Sequence, residues 1–90
     1  MYLHLGQDIV VRTDEIVGIF DLDTATISKS TRAYLTRAER EGKVVNVTLE
    51  LPKSFVVCTR GEKTTVYISQ ISSSTLLKRT GFIDELSNVH

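Results

Sequence analysis

Hydrophobic positions along this chain alternate in short runs, lengthen once into a helical period, and then return to alternation. Residues 2–5 and 9–11 are β-prone runs parted by Gly6, Gln7 and Asp8, which predicts a turn between antiparallel strands. Thr13 and Asp14 mark a second turn. Residues 15–21 are apolar on both alternations, the pattern of a strand covered on both faces; Gly18 in their middle lets another backbone or a helix approach closely. Over residues 27–43 the period changes. Stepping round at about 100° per residue puts Ile27, Thr31, Tyr34, Leu35 and Ala38 on one side. Lys29, Arg32, Thr36, Arg40 and Lys43 fall opposite, with Arg37 at their flank. Asp23 and Thr24 supply a cap with an acidic entry, and Gly42 a stop. This is the one long helix predicted, with an apolar side made to lie on a sheet.

Alternation resumes over 43–49, with Val45, Val47 and Leu49 on one side and Val44 beside Asn46 and Thr48 on the other. Pro52 cannot donate to a ladder, so it marks an edge, a bulge or a connection. Residues 54–59 and 64–69 read as two more strands joined by a hairpin loop at 60–63. Residues 71–79 read as a short helix: one of Ser72 to Ser74 caps it, Leu76 and Leu77 pack inward, and Lys78 and Arg79 complement its carboxyl end before Gly81. Residues 82–90 form a frayed tail or a partner-dependent extension of the single domain at 1–81. The order βββ-α-βββ-α predicts an α+β fold: a small antiparallel or mixed sheet with one long helix on a face and a short C-terminal helix.

Composition changes this picture in one respect. The 90 residues carry no net charge, which argues against a strongly basic nucleic-acid binder, but the charges are segregated. Residues 1–23 set Arg12 against Asp8, Asp14, Glu15, Asp21 and Asp23, whereas residues 24–81 hold ten cations against Glu39, Glu41, Glu50 and Glu62. A basic surface on a neutral molecule follows. A chain this short buries a limited share of its surface, so self-association would stabilise it. The single Cys58, inside an apolar run, reads as a small buried hydrophobe rather than half of a disulfide or a metal ligand. The opening residues lack a basic stretch followed by an apolar one, and no apolar run approaches the ~20 residues a membrane span needs. A cytoplasmic protein is expected.

Enzymatic constellations are poor. His4 and His90 lie at opposite ends, and His4 in an alternating strand reads as a structural or interface residue. No zinc or calcium motif occurs, and Asp21 with Asp23 is better explained by helix entry than by a cation. The five glycines are too scattered to cradle a phosphate. No base is identified for a nucleophile among Ser72 to Ser74. Neither catalysis nor a metal or other cofactor is expected. The cationic helix side is the best local signal: Lys29, Arg32, Arg37, Arg40 and Lys43, with Lys53 near a strand end, are candidate DNA contacts, and Arg60 and Lys63 could extend them. A solvated helix face is commonly cationic too, and Arg37 and Glu41 have the spacing of an ordinary i,i+4 pair. Repetition in an assembly would multiply weak phosphate contacts along a duplex.

The segments MYLHLGQDIVV, EGKVVNVTLELPKSFVVCTRG and VYISQISSSTLLKR resemble the RemA/RemB family of small bacterial regulators over about residues 1–80, and the RemB branch more than the RemA branch. The resemblance implies a cytoplasmic, non-enzymatic regulator of extracellular-matrix (biofilm) genes. For the RemA branch it also implies ring-shaped homo-oligomers that bind DNA through repeated basic surfaces. There an arginine pair precedes the strand that here starts near Ser54; the corresponding positions hold Leu51 and Pro52, with Lys53 the nearest cation. A further RemA-like arginine aligns with Glu15. Two readings result: an oligomeric, DNA-binding transcriptional regulator working mainly through phosphate contacts, or a scaffold that acts through a protein partner such as a RemA-like relative and touches no DNA.

Overall fold

Burial on both faces belongs to the strand Ser54–Arg60, whose residues from Ser54 to Cys58 are all buried. The computed structural model describes residues 1–22, 28–48 and 50–80. In chain order these form β1 (Tyr2–Gly6), β2 (Ile9–Arg12), a 3-10 turn (Thr13–Glu15), β3 (Ile16–Asp21), α1 (Lys29–Arg40), β4 (Val44–Asn46), β5 (Ser54–Arg60), β6 (Lys63–Ser69) and α2 (Ser73–Thr80). β1 and β2 make a two-stranded antiparallel hairpin, and the other four strands make a mixed sheet in the order β3-β5-β6-β4. β4 runs parallel to β6; the remaining pairs are antiparallel. The fold is α+β, with the expected succession of elements.

Strand alternation then sorts the core into two layers. Phe55 and Val57 of β5 join Val66, Ile68 and Val44 beneath Leu35 and Ala38 of α1. Val56 and Cys58 face the other way, into a cluster with Leu3, Leu5 and Val11 of the hairpin, Val47, and Leu76 of α2. Two buried serines hold the segment after β6, and one of them also holds the hairpin. Ser69 Oγ donates to the Leu5 carbonyl at 2.7 Å and accepts from the Ile71 amide at 3.0 Å. Its cross-strand partner Ser54 donates to the Ile71 carbonyl at 2.7 Å.

Several expectations need correction. β3 is an edge strand rather than one covered on both faces: Val17 is 63% exposed and Phe20 45%. Its unbroken apolar character comes from a register shift between Ile16 and Gly18, which inserts one extra residue and breaks the alternation. Gly18 admits neither a backbone nor a helix but the strand's own Phe20 ring; a Cβ there would stand 2.6 Å from Phe20 Cζ. α1 is shorter than 27–43, and its N-cap is Ser28, whose Oγ accepts from the Thr31 amide at 3.1 Å. Asp23, Thr24 and Ile27 lie outside the described residues, as do Leu49, Gly81 and the tail at 82–90. The stop at Gly42 forms as read. Gly42 adopts φ 73°, its amide bonds to the Glu39 carbonyl, and the Lys43 amide reaches back to Ala38, closing a Schellman motif.

β4 ends at Asn46, short of the expected 43–49. The Val47 amide still bonds to Ile68, but Thr48 then donates to Gln70 Oε1 at 2.6 Å and accepts from the Glu50 amide, turning the chain away from the sheet. Pro52 lies in the connection that follows. The β5–β6 loop is a two-residue turn with Gly61 at φ 62°, and α2 is capped by Ser72, which accepts from the Thr75 amide.

Candidate nucleic-acid interface

α1 is amphipathic with one side turned fully to solvent. Leu35 and Ala38 hold the helix on the sheet, so residues half a turn away must point outward, and Lys29, Arg32, Arg37 and Arg40 are all exposed. None of these four has an ion-pair partner among the described residues; the three pairs present are Arg12–Asp14, Lys43–Glu41 and Arg60–Glu15. Glu39 is the one carboxylate within the helix, so α1 carries four cations against one anion. From Lys29 to Arg40 the rise is roughly 16 Å, about five base-pair steps of a duplex. This stripe can offer charge-assisted hydrogen bonds to phosphate oxygens.

The six candidates do not form one cluster. Lys43 follows the helix and is met by Glu41 at 3.2 Å: the Schellman turn brings Lys43 to the carboxylate that also stands at i,i+4 spacing from Arg37. Lys43 and Lys63 share a hollow of about 440 Å³, but Glu41 and Glu62 line it as well, so its charge is balanced. Lys53 sits at the start of β5, away from the Arg60 end; its amide donates to the Ser69 carbonyl and its own carbonyl accepts from the Leu22 amide. Its backbone is therefore fixed while its side chain is exposed. Arg60 is engaged by Glu15 at 3.4 Å and adds little free charge.

Residues set aside as chemistry have structural places. His4 Nε2 bonds to the Gln7 carbonyl at 2.7 Å, fastening the hairpin turn where Gly6 and Gln7 both take positive φ. Cys58 lies in the core beneath the hairpin, and burial, with the nearby Glu15 charge, pushes its thiol pKa up to about 11. Tyr67 is raised chiefly by burial as well. Among the described residues no group of His, Cys, Asp or Glu could hold a metal, and no helix is long and apolar enough to cross a membrane.

One feature escaped the sequence reading. A trough of about 330 Å³ runs between α1 and β3, lined by Val17, Phe20, Ser30, Thr31, Tyr34, Phe55 and Val57. Four strands span roughly 14 Å between outer axes, whereas a helix is about 10 Å across. α1 packs toward β4 and leaves the β3 side of that face open. Phe20 fills part of the gap by stacking on Phe55, with ring centroids 4.8 Å apart. Counting strands against helices would have signalled it.

The chain belongs to the RemA-like family: the family model described as "Extracellular matrix regulatory protein A-like" matches residues 2–80. The chain is also 42% identical over 88 residues to Extracellular matrix regulatory protein B of Bacillus subtilis (strain 168), covering 98% of this chain and 100% of that protein.

Proposed function

We propose that this protein is a cytoplasmic, oligomeric DNA-binding transcriptional regulator of extracellular-matrix genes that holds DNA mainly through phosphate contacts. The observation that carries the reading is the outward row of Lys29, Arg32, Arg37 and Arg40, free of ion pairs among the described residues. Membership of a family of regulatory proteins supports it. One copy provides few phosphate contacts; a ring-like homo-oligomer repeats the row and turns a weak contact into avid, salt-sensitive binding. The test is a band shift with the assembled protein on duplex DNA at rising salt. Retardation at low salt that fades as salt rises is expected, and no retardation at low salt refutes the proposal.

A second reading is favoured by Leu51, an 80% exposed apolar side chain at a position where RemA-like sequences carry an arginine. With Pro52 beside it, that loop presents an apolar surface suited to a protein contact rather than to phosphate. On this reading the chain is a scaffold regulating through a partner, such as a RemA-like protein. Co-purification of a stoichiometric protein without nucleic-acid absorbance would support it over DNA binding.

A further inference from the structure

Among the outward cations of α1 stands one neutral residue. Stepping from Thr36 at about 100° per residue, Arg32 and Arg40 fall about 40° to either side and Lys29 about 20° away, so Thr36 occupies the middle of the cationic arc. Leu35 and Ala38, which hold the helix on the sheet, lie on the far side. Thr36 is exposed, and its hydroxyl has no protein partner among the described residues. A threonine inside a helix often returns its hydroxyl to the carbonyl one turn back; this one keeps it for solvent. It is also a poorer helix former than alanine, and it takes no part in the core beneath α1.

The surroundings of Thr36 make a seat for one tetrahedral anion. Arg32 and Arg40 stand one turn before and one turn after it, each roughly 6 Å away along the axis. An arginine side chain spans that distance and ends in a fork of N–H donors. Neither arginine has an ion pair among the described residues, so both guanidiniums can close over residue 36. Two donors then flank the seat and the threonine O–H lies on its floor. The other ridge of the same face, Lys29, Ala33 and Arg37, repeats the spacing with only a methyl at its centre. Glu39, three residues beyond Thr36, repels an anion on one side and leaves the Lys29 side open.

We infer that Thr36 is a phosphate-contacting residue, its hydroxyl donating to a backbone phosphate that Arg32 and Arg40 grip from either side. The inference rests on the phosphate reading of α1 in the proposed function and deepens it. The cations attract a polyanion at any register, whereas a hydroxyl between them fixes one. The two contributions differ measurably. A cation that neutralises a phosphate releases counterions and steepens the salt dependence; a neutral hydroxyl adds affinity and releases none.

Fluorescence anisotropy of a labelled duplex, from about 50 to 200 mM salt, separates them. Thr36→Val keeps the branched shape and deletes the O–H, whereas Thr36→Ser keeps the O–H. The position is exposed, so both variants should match the parent in circular dichroism and sedimentation. Thr36→Val should bind about tenfold more weakly per engaged copy at every salt concentration, with the parent's slope. Thr36→Ser should bind as the parent does. With Arg32→Gln and Arg40→Gln also present, the valine should cost less than about twofold, because no phosphate is then held over residue 36. Four results overturn the inference and leave the phosphate reading standing: parent-like binding by Thr36→Val, a changed slope, a serine variant as weak as the valine one, or an undiminished loss in the glutamine background. A parent that fails to bind the duplex at low salt overturns both.

Discussion

Replacing Arg32 and Arg40 by glutamine removes two of the four unpaired cations on the outward side of α1 and leaves the apolar side intact. Glutamine and arginine have nearly equal helix propensities, so the fold is expected to persist. Log affinity falls with log salt by about 0.9 for each phosphate neutralised. If all four cations engage, the slope is roughly −3.6 per bound copy, against roughly −1.8 for the double variant. Between 50 and 200 mM salt the parent would lose about 150-fold in affinity for each engaged copy, and the variant about 12-fold. The absolute slopes multiply with the number of copies on the duplex, but their ratio stays near one half. Fluorescence anisotropy of a labelled duplex, titrated across that salt range, measures both slopes. The control is Lys63→Gln, which alters a cation beyond the helix. Equal slopes for parent and double variant would refute the assignment of phosphate contact to α1, as would a halved slope in the control alone.

Three further outcomes are expected. Ser69→Ala strands the Leu5 carbonyl and the Ile71 amide, costing about 1–3 kcal/mol in urea unfolding; unchanged stability would mean the hairpin does not depend on that serine. Gly18→Ala drives a methyl into the Phe20 ring, whose half-exposed outer end must swing away from Phe55, at a cost of about 0.5–1.5 kcal/mol for the lost stacking. Adding Phe20→Leu should recover part of the loss, and strictly additive costs would place the strain elsewhere. Cys58 has a folded pKa of about 11 against a usual value of 9.0. Because the folded state holds that proton more tightly, the associated stability is complete below pH 9 and falls as pH rises toward 11. The stability difference between parent and Cys58→Ala should narrow over that window, and the thiol should resist alkylation near pH 8 until denaturant is added. Prompt alkylation in the folded protein would contradict its burial.

The amino-acid sequence by itself determined what depends on near neighbours. The turns at Gly6 and Gly61, the Schellman stop at Gly42, the Ser72 cap and the inward side of α1 all follow from a residue's own backbone preference or from contacts within a few positions. The one-sided cations of the helix were legible for the same reason, since period alone assigns them a side. Only the tertiary structure decided how those elements share one sheet. The apolar residues at 15–21 carry the same pattern whether the strand is central or an edge with a bulge, and pairing with β5 alone made the choice. Which cations stay free was settled partly at a distance, where Glu15 meets Arg60 from 45 positions away, and partly by the local turn after α1, which gives Glu41 to Lys43. Ser69 meets Leu5 across 64 positions, and the trough exists because one helix is narrower than four strands. Side-chain period is local information; coverage of a face is a property of the assembled layers.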